Sequence, residues 1–540
     1  MYIRFLFLFL VGLTLQMSAQ EVVADTLVLP SVTVRVSRLG GEGLGVPASV
    51  SVIWAGKGRD VNKLLSVNEL LGEIPGLFAL NAHNYTQDLR VSIRGFGARA
   101  AFGIRGVRIM VDDFPETTPD GQGQTDHLDL GLIEKIEVLR GPSAALYGNA
   151  SGGVIRLETL HQIDRNFVEA GLTYGAFDSQ RIQLKSGWKK DRTTAVFNGT
   201  YFQTDGYRDH AFTRQTNLST NLTRKLTPHA KLKVQLRFSD SPQADDPGGL
   251  TLSEVESNRR QARDRNLLFD SGESVRHFSS AFTFERSAIG RRPRLTARAF
   301  YSTRDLYARL PFQPGGIVDL ARQHFGLGWD WEKSGLIAGH ANRFLWGADL
   351  AVQRDNRRRY NNEEGTRGNL SFHQIESFAN LGVYAVDEWH PFDWVALRAN
   401  LRFDYQLLEA RDRLLSNGDD SGLIEYGTLT GGWGASFFVH ESLRPFFRFS
   451  TSFETPTLSE LSANPDGQEG FNETLLPQTA FNVEAGLKGA PGHLLRYELT
   501  GFFIRTNDEI VPFELPAFPG RLFFRNAGKT RRLGVEAATE

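Results

Sequence analysis

From about residue 167 onward, apolar and polar residues alternate with a period of two along one segment after another. Segment 395–405 is the clearest case: its apolar face holds Val395, Leu397, Ala399, Leu401, Phe403 and Tyr405, and its polar face holds Arg398, Asn400, Arg402 and Asp404. Successive side chains of a β-strand point to opposite faces of a sheet. Each segment therefore predicts a strand with an apolar environment on one side and a polar one on the other. This pattern restricts the larger part of the 540-residue chain to an all-β architecture.

The connections between these segments decide between β architectures. Short connections alternate with long ones: the short ones fall near 188–192, 226–230, 289–293, 390–393, 440–445 and 489–493, and the long ones at about 204–215, 239–275, 303–320, 355–375, 411–425, 453–479 and 506–530. This alternation is typical of an up-and-down antiparallel membrane barrel, which has tight turns on one rim and large loops on the other. A soluble sandwich would mix connection lengths. We therefore predict a transmembrane antiparallel β-barrel with about 16 strands in this chain.

The strand pattern continues to the last residues, RRLGVEAATE, without an aromatic-ended strand that would close the barrel. An open barrel edge in lipid leaves a row of unpaired peptide groups, each of which costs several kcal/mol. We therefore expect a C-terminally truncated barrel, in which the first and last strands of the sheet are not paired with each other.

The first 160 residues follow a different pattern. Residues 1–20 (MYIRFLFLFLVGLTLQMSAQ) combine an early arginine, an apolar stretch and small residues, which predicts a secretory signal peptide. Residues 21–40 are predicted to be an extended linker, residues 41–160 a compact α+β domain, and residues 161–540 the barrel. The absence of cysteine suits an oxidising, exported compartment. The net charge of −1 gives no indication of nucleic-acid binding.

Two segments resemble a known family. IRGFGARAAFGIRGVRIMVDD and IEKIEVLRGPSAALYGNASGGVIRLET are similar to the plug of TonB-dependent outer-membrane receptors. The resemblance implies a plug inside the lumen of a barrel with about 22 strands in the full protein. It also implies a monomer in the Gram-negative outer membrane, in contact with lipid and lipopolysaccharide. Upstream, DTLVLPSVTV (25–34) resembles the TonB box, a segment that the TonB–ExbB–ExbD complex would capture by strand addition; its central residues are Asp25, Thr26, Leu27, Val28 and Leu29.

A finer resemblance concerns the ligand. IRGFGAR, TPDGQGQT, GYRDH, ADDPGGL, GGIVDL, GDDSG, FETPTLSEL, DEIV and NAGKTRR are similar to the subfamily that imports pyrroloquinoline quinone. Many of these motifs fall in predicted long loops, which vary freely unless function constrains them. The quinone is planar and carries three carboxylates, so its receptor needs guanidinium or amide donors and a flat apolar surface. The resemblance implies ligand contacts from the plug loops and the outer loops: Arg99, Arg105, Asp120, Gln122, Gln124, Arg208, His210, Tyr360 and Asn361.

Other roles are open to several of these charged residues. Plug arginines such as Arg94 and Arg140 are expected to contact barrel carboxylates rather than ligand. Asp120 is expected to cap a turn in its PDG sequence. Asp245 and Asp246 would form either a cation site or, more simply, a solvated turn. The RRR run at 357–359 offers a contact for lipopolysaccharide phosphate.

The predicted function is energy-coupled import through an outer-membrane receptor, with no bond made or broken and no cofactor retained. One alternative of the same fold carries a ferric siderophore or ferric citrate, because citrate is also polyanionic. An alternative of another class is a passive channel or a phage and colicin attachment protein. An enzyme is disfavoured, since the chain has no cysteine, no HExxH sequence and no Gx-Ser-xG elbow with suitable partners.

Overall fold

The computed structural model describes residues 33–55, 66–81, 83–100, 103–290, 292–462, 464–465, 471–492, 495–516 and 522–540. The predicted signal peptide and the predicted TonB box at 25–29 lie outside these ranges. None of the helices in the described ranges combines the length and apolar character needed to cross a membrane.

The N-terminal part is a small α+β unit, as the sequence predicts. Its elements are β1 (Thr33–Val34), β2 (Gly41–Glu42), β3 (Val50–Trp54), α1 (Asn68–Leu71), β4 (Leu77–Leu80), β5 (Arg90–Ile93), β6 (Ile104–Arg105), β7 (Val107–Val111), β8 (Phe114–Pro115), β9 (Gln122–Gly123), β10 (Ile133–Arg140), α2 (Ala144–Tyr147) and β11 (Gly153–Thr159). Five strands form a mixed sheet in the order β3-β10-β11-β7-β8, in which β11 and β7 run parallel. Val91, Ile109, Ile136 and Ile155 are fully buried in its core.

The remaining strands form one large antiparallel sheet with excursions in its long connections. The elements are β12 (Phe167–Gly175), β13 (Ser179–Lys190), β14 (Thr193–Thr204), β15 (Thr213–Thr227), β16 (Ala230–Asp245), α3 (Leu252–Asn258), α4 (Asp264–Leu268), β17 (Gly272–Arg286), β18 (Arg294–Arg309), β19 (Ile317–Ile337), β20 (His340–Glu363), β21 (Thr366–Phe392), β22 (Val395–Asp412), β23 (Gly422–Phe437), β24 (Arg444–Glu454), α5 (Leu458–Leu461), β25 (Gln478–Gly489), β26 (Tyr497–Asn507), β27 (Ile510–Glu514), β28 (Leu522–Asn526) and β29 (Lys529–Thr539). In the described ranges, 16 strands pair in chain order from β12 to β26 and then β29. Between β12 and β29 these ranges contain no pairing, so the prediction of an unclosed sheet is confirmed.

Two of the predicted long loops are wrong. The segment expected as a loop at 303–320 is mostly strand, because β18 continues to Arg309 and β19 begins at Ile317. The segment expected as a loop at 355–375 is a paired hairpin in which only residues 364–365 separate β20 from β21. Beyond the lipid both faces of a hairpin meet water, so the side-chain alternation ends while the backbone hydrogen bonds continue. The sequence pattern reports only the alternation.

The exposed face of the large sheet is apolar and its hidden face is polar. On β22, Leu401 is 55% exposed and Phe403 is 47% exposed, whereas Arg402 is 1% exposed and Asp404 is fully buried. A protein surrounded by water would have the opposite arrangement. The predicted fold class, a barrel with its apolar face towards lipid and its polar face towards the lumen, is confirmed.

The α+β unit lies inside the barrel, because its side chains contact strands all around the sheet. These contacts are Asp129 with Asn198 and Thr200 on β14, Thr159 with Asn221 on β15, Asp112 with Gln235 on β16, Asp126 with Arg304 on β18, Arg38 with Asp349 on β20, Ser151 with Ser452 on β24, Arg94 with Glu484 on β25, and Arg140 with Glu536 on β29. The predicted plug therefore occupies the lumen.

Candidate functional site

The centre of the candidate site is a two-stranded ribbon of the plug. β6 and β9 are antiparallel, with Arg105 opposite Gln122 and Ile104 opposite Gly123. Directly opposed residues share one face of a ribbon. Ile104 is buried at 1% exposure, whereas Arg105 and Gln122 are half-buried. The ribbon thus anchors its apolar face in the plug and presents a guanidinium beside an amide on the other face.

The turn that leads into β9 is stabilised by Asp120. Its carboxylate accepts hydrogen bonds from Thr118 Oγ1 over 2.6 Å and from Gln122 Nε2 over 2.5 Å. Gly121 has a φ of 83°, a conformation that side chains rarely adopt, so glycine is required there. The expected turn-capping role of Asp120 is confirmed, and this carboxylate also fixes the amide of Gln122.

Arg99, which is close in sequence, is paired with barrel carboxylates. Its Nη1 lies 3.2 Å from Glu454 Oε2, and its Nε lies 3.2 Å from Glu460 Oε1. Gln478 Oε1 accepts a further hydrogen bond over 3.3 Å. Burial alone would lower the pKa of the Arg99 guanidinium, but Glu460 and Glu454 outweigh that effect and raise the pKa above its ordinary value. Arg99 is therefore a neutralised link between the plug and the 454–460 segment.

Arg105 lacks such a neutralising partner. Within the described residues its guanidinium has neither a salt bridge nor a side-chain hydrogen bond. Burial lowers its pKa, and the attraction of Asp120 and Glu460 offsets this only in part. The repulsion of Arg99 and Arg322 lowers the pKa further. A half-buried guanidinium with these neighbours favours an anion as its partner.

Arg322 on β19 is nearby but is already neutralised by Asp355. Its Nε lies 2.9 Å and 3.1 Å from the two carboxylate oxygens, and its Nη2 lies 2.6 Å from one of them. This is the bidentate geometry of a strong arginine–carboxylate pair. Of the cations 99, 105 and 322, only Arg105 is left without a paired carboxylate in the part of the chain that the structure describes.

Gln124, the other predicted plug amide, donates from Nε2 to Asp88 Oδ2 over 3.2 Å. Burial and the neighbouring Asp126 raise the pKa of Asp88 to about 6, while Arg304, Gln124 and His127 act in the opposite direction. The structure thus brings together the predicted residues 99, 105, 120 and 122, whereas Gln124 belongs to a separate polar network beside the ribbon.

The predicted outer residues 208 and 210 hold loops together. Arg208 donates to the carbonyl oxygens of Pro247, Gly248 and Gln261. His210 Nε2 lies 2.8 Å from the carbonyl oxygen of Ser271. Asp246 accepts a hydrogen bond from Asn84 of the plug over 3.0 Å. The ADDPGGL loop therefore contacts both Arg208 and the plug. Arg208 and His210 are predicted to contact the ligand. In this structure their side chains contact backbone carbonyl oxygens of neighbouring loops instead.

Tyr360 and Asn361 lie on β20, so the expectation that they come from a loop is wrong. Tyr360 is 8% exposed, and the guanidinium of Arg367 lies 3.6 Å from the centroid of its ring. Asn361 Oδ1 accepts from the backbone N–H of Gly315 over 3.4 Å. Asn361 thus contacts the connection between β18 and β19, and Tyr360 contacts the facing strand of its own hairpin, β21.

Motifs that are far apart in sequence meet in space around the site. Arg99 of IRGFGAR contacts both glutamates of FETPTLSEL. Arg532 of NAGKTRR pairs with Glu509 of DEIV, and its guanidinium lies 4.4 Å from the ring centroid of Phe96. Arg208 of GYRDH binds ADDPGGL through its carbonyls. The motifs therefore form two contact groups, one of four motifs joined through Arg99 and Arg532 and one of two motifs joined through Arg208.

Two family models match the chain. The TonB-dependent Receptor Plug Domain matches residues 43–154, and the TonB dependent receptor-like, beta-barrel matches residues 142–540. The chain belongs to the TonB-dependent receptor family. The family that the sequence motifs indicate is confirmed. These family models do not distinguish the quinone-importing subfamily from other receptors of the family.

Individual relatives of this receptor carry different cargoes. The hemin receptor of Yersinia enterocolitica is 33% identical over 153 residues, which are 28% of this chain and 20% of that protein. The vitamin B12 transporter BtuB of Vibrio vulnificus (strain YJ016) is 29% identical over 193 residues, or 35% and 30% of the two chains. The matched stretches thus span less than a third of the length of these curated relatives. The unliganded ferric citrate transporter FecA shares the fold, with a TM-score of 0.77 at 18% identity, covering 92% of this chain and 75% of that one.

The receptor family is an outer-membrane family, and this locates the chain in the outer membrane. The matched families and the solved relative are receptors and transporters, in agreement with the prediction that the chain is not an enzyme. The predicted role of Arg94 and Arg140 as links between plug and barrel is confirmed by their bonds to Glu536, at 2.9 Å from Arg94 Nε and 2.7 Å from Arg140 Nη1.

The sequence interpretation missed Glu454 and Glu460 of the receptor as members of the site. The signal was present, because TPTLSEL has the S/T-x-x-E spacing of a capping box. In the structure Thr457 caps α5: its backbone N–H donates to Glu460 Oε2 over 2.8 Å, and its side chain accepts from the Glu460 N–H over 3.2 Å. Because the cap uses Glu460 Oε2, the other carboxylate oxygen, Oε1, is available to pair with Arg99.

Exchange of Thr457 for alanine is expected to weaken α5 by about 1 kcal/mol, because the side-chain acceptor of the cap is lost. Amide hydrogen exchange of residues 458–462 should then accelerate about fivefold if these amides exchange by local opening. Thr457→Ser keeps the hydroxyl and is the matched control. Equal exchange rates in the two variants would contradict the assigned cap.

Proposed function

We propose that the protein is an energy-coupled outer-membrane importer of a small polyanion, with pyrroloquinoline quinone as the ligand that its site fits best. The observation that carries this proposal is the half-buried guanidinium of Arg105, which has no carboxylate partner within the described residues, whereas Arg99 and Arg322 are paired. A bound carboxylate would supply the missing counter-charge. Gln122, held by Asp120 on the same face of the ribbon, offers an amide donor beside it.

The motifs that resemble the quinone-importing subfamily support the same ligand. They lie on different strands and loops, yet Arg99 and Arg532 join four of them, and Arg208 joins two others. A planar tricarboxylate needs several such groups in a fixed arrangement, because each carboxylate must exchange water for protein donors. We propose that Arg105 and Gln122 contact the ligand directly and that Arg99 positions the 454–460 segment beside them.

Transport itself requires an energy source outside the barrel. We place the coupling segment at 25–29, and the partner is the TonB–ExbB–ExbD complex. Outer-membrane lipid contacts the apolar barrel face, and lipopolysaccharide lies at the outer rim. The receptor acts as a monomer in this scheme.

Isothermal titration of the full-length receptor with the quinone tests the proposal. Arg105→Gln should weaken binding about 10- to 150-fold, because a hydrogen bond to a charged group contributes about 1.5–3 kcal/mol. The matched control is Arg276→Gln, since Arg276 is 65% exposed and pairs with Asp240 on the outer side of the sheet. The control should bind like the unaltered protein.

Parallel titrations with ferric citrate, a ferric siderophore and hemin separate the rival ligands. Binding of a ferric complex without binding of the quinone would refute the quinone and leave the importer assignment intact. Equal quinone affinity in Arg105→Gln and Arg276→Gln would remove Arg105 from the site.

A further inference from the structure

Glu116, His127 and His277 meet where the plug touches the barrel wall. Glu116 and His127 belong to the plug, and His277 lies on β17. A potential ligand atom from each lies within 4.8 Å of the other two. His127 Nε2 is 2.9 Å from Glu116 Oε2, and the two imidazole rings stack with centroids 3.9 Å apart. Two imidazoles and one carboxylate form a donor set suited to a borderline divalent transition cation.

Neighbouring charged groups orient these donors. His127 Nδ1 lies 3.4 Å from Asp126 Oδ1, and Arg304 holds that carboxylate through bonds of 3.0 and 2.9 Å. Arg237 donates to Glu116 Oε1 over 2.5 Å, which leaves Oε2 for another partner. A carboxylate on the second ring nitrogen is the arrangement that orients metal-binding histidines and fixes their tautomer.

His277 provides an independent observation. It is 6% exposed, and neither of its ring nitrogens has a hydrogen-bond partner in the described part of the chain. Buried polar atoms are nearly always satisfied, so an imidazole with two unsatisfied nitrogens requires an explanation. A cavity of about 30 Å³ adjoins Glu116, His127, His277 and His324, and such a volume holds a single ion or water. The Nε2 atom of His324 is also without a partner in these ranges.

We propose that Glu116, His127 and His277 bind one divalent cation of the zinc class, which bridges the plug to the barrel wall. His127 coordinates through Nε2 while its Nδ1–H is directed to Asp126, and Glu116 coordinates through Oε2. The ion adds a charge of +2 to a cluster in which Glu116 and Asp126 already balance Arg237 and Arg304. A proton shared by His127 and Glu116 is the competing occupant, and that occupant leaves both nitrogens of His277 unsatisfied.

The proposed metal bridge can be tested independently of the transported ligand. The full-length receptor is treated with a chelator, dialysed and titrated with Zn²⁺ by calorimetry, and Co²⁺ is added in a second sample as a spectroscopic probe. We expect one equivalent of Zn²⁺, a Co²⁺ absorption spectrum with imidazole ligation, and a rise in the thermal unfolding midpoint on adding Zn²⁺. His277→Ala and His127→Ala should each weaken the binding by more than about 100-fold.

The matched control is His373→Ala, because His373 lies on β21 and contacts Asn356 rather than the cluster. It should keep the single equivalent. Folding of each variant is checked by circular dichroism and by heat-modifiable mobility in gels, and Asp126→Asn provides a variant that weakens binding without removing a ligand. The absence of a saturable equivalent in the unaltered receptor, or Zn²⁺ affinity unchanged in both His127→Ala and His277→Ala, overturns the proposal.

Discussion

Exchange of Arg94 for methionine is expected to destabilise the docking of the plug by about 3–5 kcal/mol, because it leaves buried carboxylates without their counter-charge. The Arg94 side chain is completely buried, as is that of Glu484, to which it is bonded. Two further bonds of 2.9 and 2.8 Å join it to Glu536. Glu536 keeps Arg140 as a partner at 2.7 Å, whereas the next cation near Glu484 is Arg448 at 3.7 Å. Most of the loss should therefore come from Glu484.

Native-state hydrogen exchange of β5 and β10 measures this free energy in the full-length receptor. The control is Arg276→Met, which breaks an exposed pair with Asp240 and should cost at most about 1 kcal/mol. Adding Glu484→Gln to Arg94→Met should restore part of the loss, because it removes the orphaned charge. A loss in Arg94→Met no larger than in the control would show that the network does not hold the plug.

The fold was largely predictable because lipid imposes a simple rule on a barrel. Every spanning strand must alternate, and the alternation of Leu401 and Phe403 with Arg402 and Asp404 is visible without any tertiary information. The rule ends where the lipid ends. This is why the side-chain alternation does not predict the extension of β20 to Glu363 and of β21 from Thr366.

The candidate site was predictable only in part, because charge pairing is a tertiary property. The sequence pointed to Arg99 and Arg105 alike, since both stand in the same glycine-rich plug segment. Their difference depends on Glu454 and Glu460, which lie more than 300 positions further along the chain and reach Arg99. No local pattern distinguishes a neutralised guanidinium from an available one. For the same reason, the sequence gives no indication that His277 stacks against His127.

Deletion of residues 25–29 is expected to abolish uptake of the ligand and to leave its binding at the outer face unchanged. The segment that follows is attached firmly to the plug: the backbone N–H groups of Arg35 and Val36 donate to Glu137 over 2.8 and 2.7 Å. Arg38 Nη2 lies 2.7 Å from Asp349 of the barrel. A force applied ahead of residue 33 would therefore act directly on β10 and on the contact between plug and wall. If residues 25–29 are the proposed coupling segment, their deletion removes the point at which such a force is applied.

A single substitution distinguishes two reasons why uptake could need residues 25–29: capture of the segment as a β-strand, or the length that it adds to the linker. Leu27→Pro removes a backbone N–H and fixes φ, so it should prevent strand addition and abolish uptake as the deletion does. Leu27→Ala keeps the backbone donor and should retain most of the uptake. Uptake is measured as growth on a substrate whose oxidation needs the quinone at trace supply, and binding is measured by calorimetry on the same variants. Undiminished uptake after the deletion would favour a passive channel, and equal loss in the proline and alanine variants would place the recognition in the leucine side chain instead of the backbone.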